Sequence, residues 1–250
     1  MYKIPANTLF TGQTLVYMPE CHSTNAEALK VLQSNPQVAE GAVLITDNQT
    51  AGRGQRGNTW ESEAGKNLTF SIILRPTFLH PQHQFHLNMA VSLGLFDYLT
   101  SQVTDVTIKW PNDMMLGDQK TCGILIENQI SGQQIQSSIV GIGLNVNQES
   151  FLLSTATSMA IKKEHTYRLN DVLAELLQWV EARYLQLRSH IDLKEEYVAA
   201  LYGRGEKRSF KSGDESFEGI IRGIDSVGML EVETDMGKRY FDLKQIQFVS

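Results

Sequence analysis

Cysteine is scarce: only Cys21 and Cys122 occur in 250 residues. Two thiols make no disulfide framework, and these two are not at metal-ligand spacing, so reduced thiols are expected. No apolar run approaches the roughly 18 residues that a membrane-spanning helix needs. The opening Met1-Tyr2-Lys3-Ile4-Pro5-Ala6-Asn7-Thr8 also lacks the continuous apolar stretch of a signal peptide. A soluble, cytoplasmic protein with no membrane partner is expected. Basic charge is in deficit too, the net charge being −6. Nothing global therefore draws the chain to nucleic acid, and any binding of anions must be local. Repeats and low-complexity segments are absent.

What is present is a 42% hydrophobic content, enough for one large core or for a large domain with a small one. Thr14 to Met18 reads as a strand. Thr24 with Glu27 three residues on fits a capping box, opening a helix to about Ser34. Ala42 to Thr46 and Leu68 to Leu74 read as buried strands, the second stopped by Arg75-Pro76. Phe85, Met89, Leu93 and Phe96 fall at helical spacing within a helix over 85–99. Val106 to Trp110 is a strand ended by Pro111. Met114 to Leu116 and Cys122 to Glu127 flank a turn at Gly117-Asp118-Gln119-Lys120, which predicts a hairpin. A strand follows over 135–146, then a helix over about 170–188. From Tyr202-Gly203-Arg204-Gly205 onward short strands alternate with glycines, the pattern of a small all-β barrel. The reading is α+β in two domains, residues 1–203 and 204–250.

Three segments carry chemistry. Gly52, Gly54 and Gly57 have the spacing of a dinucleotide loop, but that motif needs a helix straight after it, and Asn58-Thr59-Trp60 leads instead towards a strand. What remains is a loop whose backbone N–H groups can wrap an anion, with Arg53 and Arg56 adding charge and no acid within the segment. Lys109-Trp110-Pro111-Asn112-Asp113 ends a strand with polar groups around a stiffening proline. Lys120 begins the next strand, where simple alternation puts Lys120, Cys122 and Ile124 on one face. The histidines His80, His83 and His86, every third residue, are read as a solvated helix entrance rather than as metal ligands.

Together these segments resemble the biotin protein ligases. The matching residues are Ser23-Thr24-Asn25, Gln49-Thr50-Ala51-Gly52-Arg53-Gly54, Arg56-Gly57 with Trp60, Lys109 to Asp113, Lys120 with Gly123-Ile124-Leu125-Ile126-Glu127, and Gly141-Ile142-Gly143-Leu144-Asn145-Val146-Asn147. The resemblance implies a mixed β-sheet flanked by helices and a small C-terminal SH3-like β-barrel. It also implies an activity: biotin and ATP form biotinyl-5'-AMP, and biotin passes to a lysine of a biotin carboxyl carrier protein. Ser23, Thr24, Asn25 and Gln49 would line the site for biotin's ureido ring. Arg53, Gly54 and Lys120 would hold its carboxylate and the α-phosphate. Arg56, Trp60, Asn112 and Asn145 would take the nucleotide, Trp60 packing on adenine and Asn145 bonding its edge. Lys120, Arg53 and Asp113 are the catalytic candidates. Mg2+ would accompany ATP, with Asp113 a candidate near the metal and no direct ligand identified. At position 55 relatives often have another arginine, so Gln55 leaves this loop one charge poorer.

The chemistry fits these residue types. A carboxylate must attack an anionic phosphorus, so the barrier is largely electrostatic, and cations and N–H groups offset it. An alternative of the same fold is a lipoyl- or octanoyl-transferase with Cys122 as nucleophile and Lys120 lowering its pKa. Some biotin ligases also carry an N-terminal helix-turn-helix domain. Only 22 residues precede Ser23, against the roughly 50 a domain needs, so no DNA partner is expected. A homodimer stays open.

Overall fold

The computed structural model describes residues 2, 7–243 and 245–249, and of Arg56 only the backbone. A seven-stranded mixed sheet is built from β1 (Leu15–Cys21), β2 (Ala42–Gln49), β3 (Leu68–Leu74), β4 (Val106–Lys109), β5 (Asp113–Leu116), β6 (Gln119–Ser131) and β7 (Gln134–Leu144). The spatial order is β1-β2-β3-β7-β6-β5-β4; β1 pairs with β2 in parallel, and the other neighbours pair antiparallel. Five helices are described: α1 (Thr24–Ser34), α2 (Phe85–Gln102), α3 (Met159–Lys163), α4 (Leu169–Arg188) and α5 (Lys194–Ala199).

Alternation along the strands sorts the apolar residues between two faces. Leu44, Ile73 and Ile139 join Ala28 and Leu32 of α1 in a small cluster on one face. Val43, Ile45, Phe70, Ile72 and Ile142 join α2 and α4 in the large core on the other. Covered on both sides, β3 is buried at all seven positions, which is why it reads as a continuous apolar run. No helix among the described residues is long and apolar enough to cross a membrane.

Glu181 of α4, only 5% exposed, accepts three consecutive backbone N–H groups, from Leu9 at 2.6 Å, Phe10 at 2.9 Å and Thr11 at 2.7 Å. A buried carboxylate is tolerable when its lone pairs are filled in this way. The chain ahead of β1 is thereby fastened to α4.

Beyond α5 the strands β8 (Lys207–Ser212), β9 (Glu215–Ile224), β10 (Leu230–Thr234), β11 (Gly237–Phe241) and β12 (Gln247–Phe248) form a second, antiparallel sheet. Its order is β11-β10-β9-β8-β12. The expected small barrel is thus a five-stranded sheet, and among the described residues no ladder joins β11 to β12. Phe210, Ile221, Leu230 and Phe241 continue the large core. At the seam the Trp110 indole donates to the Gly228 carbonyl at 3.0 Å.

Two local expectations are corrected. Ser23, not Thr24, caps α1, and it does so without a side-chain hydrogen bond. Thr24 instead uses its N–H on the Gln49 side chain at 2.7 Å, so no capping box forms. In β6, Met114 pairs with Cys122 but Met115 with Lys120, leaving Thr121 as an extra residue. That bulge reverses the alternation. Lys120 therefore shares a face with Gly123, while Cys122 points into the core, fully buried.

Candidate functional site

The site lies on the α1 face of the sheet, at the carboxyl ends of β2 and β7 and over the middle of β6. Here the ladder pairs Gly123 with Gly143 and Leu125 with Gly141. A Cβ at position 143 would lie 2.3 Å from Trp60 Cε2, and one at 141 would lie 2.3 Å from Asn25 Oδ1. The floor is therefore bare backbone, onto which the Trp60 indole and the Asn25 amide settle. Trp60 is delivered by the glycine-rich loop, which folds back on itself. Gly54 N–H donates to Asn58 O at 2.7 Å and Trp60 N–H to Gly52 O at 3.0 Å. Arg53 bridges Thr59, and Gly57 turns the chain at φ +81, a value that favours glycine.

A continuous polar network lines the α1 side. Gln49 Oε1 accepts from Thr24 N–H. The Ser71 hydroxyl lies 2.6 Å from Asn25 Oδ1 and 2.7 Å from Thr24 Oγ1. An amide oxygen can only accept, so Ser71 donates to Asn25 and Thr24 supplies the proton of the other contact. Asn25 Nδ2 donates to Glu127 Oε2 at 2.7 Å and to Leu125 O at 3.2 Å. Arg53 Nη2 reaches the same Glu127 oxygen at 3.4 Å. The loop, without an acid of its own, thus finds one 74 residues away. Ser71 carries no motif of its own, and Glu127, although it closes the Gly123-Ile124-Leu125-Ile126-Glu127 motif, has no role assigned from the sequence.

On the opposite side Lys120 Nζ is 2.7 Å from Asp113 Oδ1 and 5.7 Å from the Trp60 ring centre. Asn112 is knitted into the wall: its Nδ2 donates to Ile124 O, and its own carbonyl accepts from Ile124 N–H at 3.0 Å. Lys109 lies 4.9 Å from the Phe248 ring centre, and burial lowers its pKa. At Cys122 burial pushes the thiol's pKa well up, against a smaller opposing effect of Lys120. A nucleophilic cysteine needs exposure and a lowered pKa. Cys122 has neither.

Three adjoining cavities meet at these residues. The first, about 50 Å³, is lined by Ser23, Thr24, Asn25, Gln49, Arg53, Gly54, Gln55, Asn112 and the glycine floor. The second, about 670 Å³, runs along Glu61, Ser62, Asn145, Gln148 and the apolar Phe151, Leu152 and Leu153. The third, about 210 Å³, lies between Lys109–Asp113 and Ile246–Phe248 of the second sheet. Trp60 and Lys120 line all three. Nearly every residue singled out in the sequence comes to this junction, Asp113 in the third cavity and Asn145 in the second. The Arg56 side chain lies outside the described residues. Asn145, 4% exposed, donates to Thr157 O at 3.0 Å, but its Oδ1 is buried without a partner, as is the Trp60 Nε1. An orphaned buried acceptor is unfavourable unless a ligand fills it. Phe151-Leu152-Leu153 went unread in the sequence, although an apolar triplet in a polar loop, with Leu152 87% exposed, is a signal for a surface that something covers.

Residues 18–145, the stretch holding most of this constellation, match the family model described as the biotin/lipoate A/B protein ligase family. The bifunctional ligase/repressor BirA of Bacillus spizizenii is 33% identical over 236 residues, 90% of this chain and 71% of that protein. A biotin–[acetyl-CoA-carboxylase] ligase of Paracoccus denitrificans is 28% identical over 239 residues, 90% of this chain and 97% of its own length. Among solved structures, the Aquifex aeolicus biotin protein ligase in complex with biotin and ATP superposes with a TM-score of 0.79 at 25% identity, covering 95% of this chain and 99% of that one. Sequence, fold and the junction of cavities agree, and this chain belongs to the biotin/lipoate A/B protein ligase family.

Proposed function

We propose that the chain is a biotin protein ligase that forms biotinyl-5'-AMP from biotin and ATP and transfers biotin to a lysine of a biotin carboxyl carrier protein. The observation that carries this reading is the meeting of three cavities at one lysine and one tryptophan. An acid, a nucleotide and an incoming amine need separate access to one reacting centre. Biotin occupies the first cavity, its ureido ring against Ser23, Thr24 and Gln49 and its carboxylate under Gly54 and towards Arg53 and Lys120. At about 50 Å³ that cavity holds a few waters, so binding requires Arg53 to swing away from Glu127. Adenine takes the second cavity, whose volume suits a small-molecule ligand, with the Asn145 Oδ1 as acceptor for its amino group and Trp60 on its face.

The chemistry follows from charge. Lys120 and Arg53 reduce the repulsion between the biotin carboxylate and the α-phosphate and stabilise charge on the phosphorus oxygens as diphosphate leaves. Lys120 is paired to Asp113; once the lysine turns to the adenylate, Asp113 is freed to orient the acceptor amine or take its proton. That amine enters through the third cavity. Among the described residues no three His, Cys, Asp or Glu side chains are grouped to hold a metal. Magnesium belongs to the ATP substrate. The Asn25 donors are committed to Glu127 and Leu125, which makes Asn25 a support of the biotin pocket rather than a direct donor to biotin.

Residues 204–250 form, on this reading, a separate SH3-like unit that walls the third cavity. With a net charge of −6 the chain has no general attraction for DNA, and its setting is the cytoplasm. The testing experiment is biotin-dependent exchange of labelled diphosphate into ATP. Exchange that requires biotin supports acid activation; exchange absent with biotin but present with lipoate or octanoate moves the substrate assignment to another acid.

A further inference from the structure

We propose that Glu127 is a positioning residue of this site: its carboxylate fixes Asn25 and stands in for the substrate carboxylate at Arg53 until that substrate arrives. The inference rests on the reading of the first cavity as the site of an acid substrate. Glu127 is not itself among the residues lining that cavity. It stands behind them on β6, and a single oxygen, Oε2, takes both contacts.

The two contacts differ in kind. Asn25 is buried at 3% exposure, and its 2.7 Å bond to Glu127 is a charge-assisted one. It fixes which way the amide faces, and so sends Oδ1 to Ser71. Ser71 in turn takes the Thr24 proton, and the Gln49 oxygen is held by the Thr24 N–H. The Gln49 amide nitrogen is then the donor that this chain of bonds leaves for a ligand. The Arg53 contact is long, at 3.4 Å, between side chains that are 51% and 41% exposed. Exposed pairs of that geometry are weak, and this one yields to a carboxylate placed in the cavity. Glu127 thus keeps the arginine near the site without trapping it, and competes with the acid for the same guanidinium.

The two roles separate by substitution. Glu127→Gln keeps an oxygen for the Asn25 amide but removes the charge that faces Arg53. Glu127→Ala removes both. Equilibrium binding of biotin and of biotinamide, which lacks the negative charge, is measured by calorimetry on the full chain and both variants, each checked for a native melting transition. Glu127→Gln is expected to bind biotin roughly two- to fivefold more tightly, the range of an exposed ion pair, with biotinamide unchanged. Glu127→Ala is expected to weaken biotinamide about tenfold through the loosened Asn25. The ratio of the two ligands' affinities is what a merely structural role would not move. If Glu127→Gln shifts both ligands equally or neither, competition at Arg53 is wrong. If Glu127→Ala binds biotinamide as the parent does, the Asn25 role is wrong. A parent chain that binds neither ligand overturns the biotin reading itself and the proposal with it, an outcome distinct from the other two.

Discussion

Gly143→Ala tests whether the bare floor exists for Trp60. The added Cβ would sit 2.3 Å from Trp60 Cε2 and 2.6 Å from both Cζ2 and Nε1. Carbon atoms pack at about 3.5–4.0 Å, so the indole must retreat by more than about 1 Å. The backbone of β7 is held by ladders on both sides, whereas Trp60 ends a loop, so the tryptophan gives way. A misplacement of about 1 Å at a positioning group can lower a rate about 100-fold. The expected result is a fall of that order in biotin-dependent diphosphate exchange, with a melting temperature close to the parent's. The control is a double-mutant cycle with Trp60→Ala. If the collision with the indole is the whole cause, Trp60→Ala and Trp60→Ala/Gly143→Ala should exchange at rates within about twofold of each other. Equal damage by Gly143→Ala in both backgrounds would show that the methyl meets the ligand instead and refute the argument. So would normal exchange in the single variant.

Other expectations follow from the same geometry. Lys120→Ala should lose about 10²–10³-fold in exchange rate, the loss expected for one preorganised donor, while staying folded because the side chain is 37% exposed; near-normal exchange would remove Lys120 from the adenylation step. Cys122→Ala should retain most activity, since the thiol is buried and its pKa is raised by burial; a thioester trapped on Cys122 would contradict this. Glu181→Gln should destabilise the chain by about 2–3 kcal/mol by turning an amide group towards backbone N–H donors, read as a melting temperature roughly 5–10 °C lower. At 25 °C its exchange activity should be unchanged, because Glu181 lines none of the three cavities; an unaltered melting curve would mean that the Leu9–Thr11 clamp contributes nothing.

Much of this architecture is legible along the chain because its signals are local. The strand Leu68–Leu74 ends where Arg75-Pro76 stops it, and Lys109 to Asp113 reads correctly as a strand entering a turn. The glycine loop is legible as no dinucleotide loop, because Asn58-Thr59-Trp60 leads on to the strand Leu68–Leu74 and not into an α-helix. What escapes is what depends on a third dimension. One extra residue at Thr121 turns Lys120 towards the cavities and Cys122 into the core, and a bulge of this kind leaves no mark in composition. Ser71 is an ordinary strand residue, and Glu127 only the end of a motif, until β3, β6 and α1 are brought together. The segment Phe151-Leu152-Leu153 lies between elements, where hydrophobic periodicity has nothing to act on. The short helices α3 and α5, five and six residues long, are below the length at which periodicity separates a helix from a turn.

Trp60 is a wall common to three cavities, and that has a thermodynamic consequence. Any ligand that displaces the indole from one cavity alters the volume and lining of the other two. The free energy of moving Trp60 is then met by whichever ligand arrives first, and the second binds to a site already rearranged. Such coupling is reciprocal: the factor by which biotin changes the affinity for ATP equals the factor by which ATP changes the affinity for biotin. A single side chain on a loop is thus enough to link two substrates that need not touch until they react.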